Sequence, residues 1–284
     1  MSARVLVVAH PRRKGAPETI AAAVEALRAR GAEPVVGFDP DGPRLDAALV
    51  LGGDGTMLHA VELTRGTGVP LLGVNLGRVG FLAELEREEL DRAVDAIAAG
   101  EYTIEERGTL DLTITDPDGH VEHGWALNEA TVERAIPHRS LEVIVEVDGS
   151  PLSTFGCDGV VISTATGSTA HAFSAGGPVL WPNVDALLFV PLAAHALFAK
   201  PLVVGPESWF CVEVAGSSVT AGIVVLDGAR TLGAKVGARI EVRRSAETVK
   251  LARVTDSTFT DRLVSKFHLP TRGWRDDLDE GREG

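Results

Sequence analysis

The sequence predicts an α/β N-terminal domain built on a parallel sheet, over residues 1–100, followed by a mainly β C-terminal domain of two packed sheets, over residues 101–284. Three observations lead there. Up to Gly100, short apolar runs alternate with amphipathic helical stretches, the pattern of strands joined by helices. Beyond Gly100 the hydrophobic period drops to two and helical signals almost vanish. A loop of three glycines and one acid, Gly52-Gly53-Asp54-Gly55-Thr56, closes an apolar run at the strand end where parallel sheets place their ligands.

Taken in order, Val5 to Val8 is a short strand and Pro17 to Arg30 a helix with Ala21, Val24 and Leu27 as its apolar stripe, ended by Gly31. Val35 to Phe38 and Ala47 to Leu51 are the next strands. Thr56 to Leu63 is a helix that Thr56 is placed to cap. Leu71 to Asn75 is a fourth strand, and Asn75-Leu76-Gly77-Arg78-Val79-Gly80 a second glycine-bearing loop. Glu88 to Ala99 is a helix closed by Gly100. Leu110, Leu112 and Ile114 then alternate with polar residues up to an Asp118-Gly119 turn, and Leu141, Val143, Val145 and Val147 do the same up to Asp148-Gly149. Further strands are expected at Phe210–Val214, Ile223–Leu226, Arg239–Val242 and Val249–Val254. Phe259, Leu263 and Phe267 recur at helical spacing, so the segment 256–275 is expected to dock back on the first domain. The tail from Asp276 to Gly284 is expected to fray.

With 45% hydrophobic and 24% charged residues in 284, the chain can bury two cores. A net charge of −13 argues against nucleic acid or an anionic membrane as partner. It also means that a phosphate site must be built locally, from backbone N–H groups and a divalent cation. Cys157 and Cys211 alone make no disulfide framework and no thiolate zinc site. His120 and His123 in one hairpin offer two imidazoles, too few for zinc. There is no leader and no apolar run long enough to span a membrane, so a cytoplasmic location is expected.

The chemistry concentrates in three places. The glycines at 52, 53 and 55 let a backbone approach a ligand and aim N–H groups at an anion, with a helix start behind them. Asp54 cannot attract phosphate; it suits handling a hydroxyl proton or a metal. The plainer alternative is a tight turn that happens to hold an aspartate. Asn128 and Glu129 carry the donors and acceptors that grip ribose hydroxyls or an adenine edge, and Arg139 could meet a pyrophosphate; each could equally be a surface turn residue. The run from Gly156 to Pro178 is dense in hydroxyl, glycine and alanine residues, leaving room for a flat ring with hydroxyls at its edge.

Gly52-Gly53-Asp54-Gly55-Thr56, Asn128-Glu129 and Gly167-Ser168-Thr169-Ala170, in that order on an α/β then β chain, resemble the NAD kinase family. The resemblance runs from the first strand to the Phe259–Phe267 segment. The first motif alone is shared with lipid and sugar kinases, the alternative reading; the three together are specific. A protein that holds NAD without chemistry is the non-enzymatic alternative.

The resemblance implies a Rossmann-like first domain and transfer of a phosphoryl group from ATP or polyphosphate, with Mg²⁺, to the 2′-hydroxyl of the adenosine ribose of NAD, making NADP. Asp54 would be the proton acceptor. Carboxylates have a reference pKa of about 3.9, so the proton would pass late, once bonding to phosphorus has acidified the alcohol. Gly52, Gly53, Gly55 and Thr56 would cradle donor phosphates. Asp54, Gly55, His59, Asn128, Glu129, Arg139, Asp158, Thr169, Ala170, His171, Ala172, Phe173 and Ser174 would contact NAD. The family also implies a homodimer or homotetramer, with Pro191–His195 reaching a neighbour's site. Three positions depart from the family pattern: His171 stands for a tyrosine, Ala165 for a proline and Gly156 for an arginine.

Overall fold

The computed structural model describes residues 2–10, 16–77 and 80–271. The chain divides into two compact units, one of residues 1–105 and 250–284, the other of residues 106–249.

The first unit opens with β1 (Arg4–Ala9), α1 (Ala16–Ala29), β2 (Glu33–Val36), β3 (Ala47–Leu51), α2 (Asp54–Thr64), β4 (Leu71–Asn75), β5 (Leu85–Glu86) and α3 (Leu90–Ala99). Its strands run parallel in the order β2-β1-β3-β4, with Val5 beside Ala47 and Ala48 beside Leu71. Alternation sorts the strand residues between the two faces of the sheet. Val5, Val7, Leu49, Leu51, Leu72 and Val74 share a core with Ala23 and Leu27 of α1 and Ala93, Val94 and Ile97 of α3. Gly73 faces the other way, toward α2: a Cβ there would sit 2.7 Å from the Met57 sulfur. Gly100 takes the left-handed conformation (φ 73°) that closes α3, as its type and position predict.

The second unit is antiparallel. Its elements are β6 (Thr103–Thr115), whose first residues belong to the first unit, β7 (Val121–Ala126), β8 (Glu129–Arg134), β9 (Leu141–Val147), β10 (Ser150–Cys157), β11 (Gly159–Thr164), the one-turn α4 (His171–Ser174), β12 (Leu187–Leu192), β13 (Leu202–Val204), β14 (Phe210–Val214), β15 (Gly222–Leu226), β16 (Arg230–Ala234) and β17 (Arg239–Arg253). One sheet runs β10-β9-β14-β17, with the β6–β7 hairpin joined to it; the other runs β13-β12-β11-β8-β15-β16. Val143, Val145, Val212 and Ile240 of the first pack with Val132, Val160, Ile162 and Val224 of the second in one core. Phe189 and Phe210, one from each sheet, stack with ring centroids 5.3 Å apart. Cys157, in that core, and Cys211 are free and buried, and burial pushes their thiols up to about 12 and about 11.

Three local expectations need correction. Helix α2 starts two residues before Thr56, with Gly53 at its N-cap and no side-chain cap; Thr56 is buried instead. The strands expected at Arg239–Val242 and Val249–Val254 are one strand, β17, because the polar residues between them are still extended, with Arg243, Arg244, Ala246 and Glu247 exposed. Strands β8, β12, β13 and β16 are not among the runs the sequence marks as strands. Both Asp148 and Gly149 have positive φ (53° and 75°), as the Asp-Gly hairpin signal requires.

The final helix, α5 (Phe259–Phe267), belongs to the first unit and begins with a capping box between Thr258 and Asp261. The end of β17 also lies in that unit, with Leu251 beside Leu71 of β4. The part of the 256–275 segment beyond residue 271, and the tail from Asp276, lie outside the described residues.

Candidate functional site

In the first unit the site is built on Asp54. Strand β3 ends at Leu51, and the chain turns through Gly52 and Gly53 directly into α2, which puts Asp54 in the first helical turn. A negative side chain is favourable there. Of the three glycines only Gly52 is required by packing, since a Cβ would lie 2.7 Å from that of Thr56; beside Gly55 nothing comes within 4 Å, and beside Gly53 only Asn75 Oδ1, at 3.8 Å. The Gly53 and Gly55 faces are therefore open to a ligand's close approach.

The second glycine-bearing loop supplies what holds Asp54. The Phe81 N–H donates to both carboxylate oxygens, at 3.0 and 3.1 Å, and the Leu82 N–H donates to Oδ1 at 3.0 Å. Gly80 faces the same carboxylate so closely that a Cβ would stand 2.8 Å from its carbon. Asn75, buried at the end of β4, donates to Glu86 (3.0 Å) and accepts from the Gly77 N–H (3.2 Å), shaping the start of this loop. His59 lies half-buried one turn further along α2.

In the second unit the site is built on Asn128 and Glu129, between β7 and β8. Their backbone is held from two sides. Asp227, at the β15–β16 turn with φ 52°, accepts the N–H groups of Leu127 (2.9 Å), Asn128 (2.7 Å) and Glu129 (3.4 Å). Asp227 is itself paired with Arg230 at 2.9 Å, whose guanidinium lies 4.2 Å over the Trp125 ring. From the other side, Thr164 donates to the Leu127 carbonyl (2.7 Å) and Ser163 to the Asn128 carbonyl (3.0 Å), while Gly167 presses against that carbonyl with no room for a side chain. Ser168 donates to the Ala165 carbonyl at 2.7 Å. The hydroxyls expected at a ring edge are thus committed, at 163, 164 and 168, to the protein's own backbone.

The Glu129 carboxyl accepts the His171 N–H, yet its Oε2 is buried with no hydrogen-bond partner among the described residues. Burial, and then the charge of Asp227, push it up to about 7. A carboxyl in that range can donate as well as accept. Thr169 and Ala170 are half-buried, His171, Phe173 and Ser174 exposed, and Ala172 packs inward with Val161, Leu188 and Val190.

The structure pairs Asp158 with Arg134, and Arg139 is exposed in the turn after β8. A Cβ at Gly156 would sit 2.8 Å from the Ser140 hydroxyl, which would have to turn aside. His123 meets Thr113 at 3.1 Å, and among the described residues there is no group of three His, Cys, Asp or Glu side chains placed to hold a metal.

Asp227 and Gly80 are the supporting residues that sequence reasoning did not assign. An Asp-Gly pair between two apolar runs was the available signal for the first.

Comparison with known proteins bears on both halves. The ATP-NAD kinase N-terminal domain family matches residues 39–102, and the ATP-NAD kinase C-terminal domain family matches residues 127–254. NAD kinase 2 of Streptomyces coelicolor is 57% identical over 227 residues, covering 80% of this chain and 75% of that protein. The NAD kinase of Leifsonia xyli is 49% identical, over 95% and 96% of the two chains. The chain belongs to the NAD kinase family. Membership makes it a kinase. Among solved structures, an NAD kinase from Archaeoglobus fulgidus in complex with ATP is 28% identical with a TM-score of 0.74, covering 94% of this chain and 100% of that one. Yeast NADH kinase complexed with NADH shares the fold at 22% identity, with a TM-score of 0.85 over 96% of this chain and 89% of that one. No helix among the described residues is long and apolar enough to cross a membrane.

Proposed function

We propose that the chain transfers the terminal phosphoryl group of ATP, or of another nucleoside triphosphate or polyphosphate, to the 2′-hydroxyl of the adenosine ribose of NAD, with Asp54 as the proton acceptor. The observation that carries this reading is the Asp54 carboxylate itself. It is fixed by two backbone N–H groups at the start of a helix, beside glycines whose open faces suit phosphate. Two N–H donors leave lone pairs on the carboxylate for a substrate hydroxyl, and a fixed carboxylate orients that hydroxyl before it loses its proton. Gly52, Gly53, Gly55 and Thr56 would form the donor-phosphate loop. Asn128, Glu129, Asp158, His59, Arg139 and the 169–174 segment would bind NAD.

The residues fit a divalent cation that arrives on the nucleotide. Mg²⁺ is commonly held by phosphates, waters and one or two carboxylates, and the described residues offer no larger cluster. Bound there, it would neutralise charge that an acidic chain cannot.

A homodimer or homotetramer is part of the proposal, supported by Trp181, Leu197, Phe198 and Val203, large apolar residues exposed within one stretch of the second unit. Light scattering on the purified chain should give twice or four times the 29.9 kDa chain mass.

The deciding assay offers ATP and polyphosphate against NAD and NADH. NADP should form from NAD, and Asp54→Asn should slow its formation by about 10²- to 10⁴-fold. Turnover of a lipid or sugar but not of NAD would replace the reading with another kinase, and tight NAD binding without product would replace it with a sensor.

A further inference from the structure

Behind the Phe81–Leu82 backbone lies a buried cluster of charges that the reading above does not use. Glu84 is fully buried and pairs with Arg253 (2.9 Å) and with Arg262 of α5 (2.8 Å). It also accepts the Thr255 N–H at 2.9 Å and the Thr255 hydroxyl at 2.6 Å. Each arginine, anchored on that carboxylate, sends a second N–H forward. Arg262 Nη1 donates to the Phe81 carbonyl at 3.2 Å, and Arg253 Nη1 to the Leu82 carbonyl at 3.3 Å. The Phe81 ring packs between Phe259 and Phe267 of the same helix, with centroids 5.8 and 5.9 Å away.

The covalent geometry gives this arrangement its consequence. The Phe81 carbonyl and the Leu82 N–H are the two ends of one planar peptide group. Arg262 pulls on the oxygen end of the group whose nitrogen end donates to Asp54 Oδ1. A charge-assisted bond at the carbonyl polarises the amide and strengthens the bond that its N–H makes. Arg253 also pairs through Nε with Glu105, so two cations and two anions are gathered here. Burying such a cluster is a poor way to gain stability, because desolvation offsets most of the attraction. It is a good way to fix a geometry, since a planar guanidinium fork has few orientations that serve all its partners at once.

We propose that Arg262 and Arg253, seated on Glu84, are positioning residues that fix the Phe81–Leu82 backbone and, through its N–H groups, the Asp54 carboxylate. The final helix is on this account part of the phosphoryl-transfer apparatus. The proposal rests on the role given to Asp54 above, and two kinds of measurement keep it separable from that role. The first is steady-state kinetics of the full chain. Arg262→Ala should lower kcat for NADP formation by about 100-fold while the KM values for NAD and ATP stay within about threefold, as expected when a reacting group is misplaced and not when substrate binding is lost. Arg262→Lys, which keeps the charge and loses the fork, should fall between that variant and the wild type. Added guanidinium should restore part of the Arg262→Ala rate, because Arg262 lines a cavity of about 270 Å³ with Glu84, Thr255 and Ser265. Asp261→Ala removes the capping box of the same helix without touching Phe81; it should lower Tm and leave kcat within about twofold.

The second measurement is amide hydrogen exchange over the peptide that carries Phe81 and Leu82. It should quicken in Arg262→Ala and Arg262→Lys and not in Asp261→Ala, whether or not NADP is formed. Unchanged exchange with unchanged kcat in the arginine variants would overturn the proposal, and so would an equal loss of kcat in Asp261→Ala. A wild type that makes no NADP would remove the function assigned to Asp54, while the exchange data would still decide whether Arg262 holds this backbone.

Discussion

Asp54 and Glu129 are both acids next to small-residue loops, and the protein treats them in opposite ways. Asp54 receives two backbone N–H groups, from Phe81 and Leu82. Glu129 receives one N–H, keeps one oxygen buried without a partner, and lies near a second acid, Asp227. Burial beside a like charge favours the protonated acid, the state toward which Glu129 is pushed. The contrast teaches that residue type alone does not assign a role: the first environment suits a proton acceptor, the second a group that can offer a hydrogen to a nucleotide.

The contrast can be broken in order of expected effect. Asp54→Asn keeps the shape and loses the charge, and kcat should fall by about 10²- to 10⁴-fold with little change in Tm. Asp227→Ala should come next. It strands the three N–H groups of the buried Leu127–Glu129 segment, costing about 2–3 kcal/mol by denaturant titration and raising the KM for NAD more than it lowers kcat. Glu129→Gln sharpens the comparison through pH. Burial and Asp227 raise the Glu129 pKa from its ordinary 4.5 to about 7, so between those values the folded chain holds a proton that the unfolded chain releases. Stability tied to this group is fully present below about pH 4.5 and is lost as pH rises through about 7, on the order of 3 kcal/mol in all. Glu129→Gln should therefore unfold at a higher temperature than wild type at pH 8 and lose that advantage at pH 4.5.

Much of this was legible in the chain. Period-two and helical patterning marked the strands and helices because each buries one face, and the Asp54 loop stood out because glycines cluster where a strand meets a helix. The supporting residues were less visible for a physical reason: their partners are far away in sequence. Asp227 serves N–H groups 98 to 100 residues earlier, and Arg262 serves a carbonyl 181 residues earlier. Asp227-Gly228 carried a hairpin signal, but Arg230 to Ala234 holds too little alternating hydrophobicity to announce the strand after it. The polar middle of β17 looked like a break because exposed strand residues need not be apolar. Thr56 has the type that caps helices, yet burial against Gly52 claimed it for packing.

The Leu127–Glu129 backbone is bonded on one flank by Asp227 and on the other by Ser163 and Thr164. Its conformational freedom was surrendered when the chain folded. A dinucleotide bound there, as proposed, would forfeit only its own motion, and its affinity would go undiminished by any ordering of the loop that receives it.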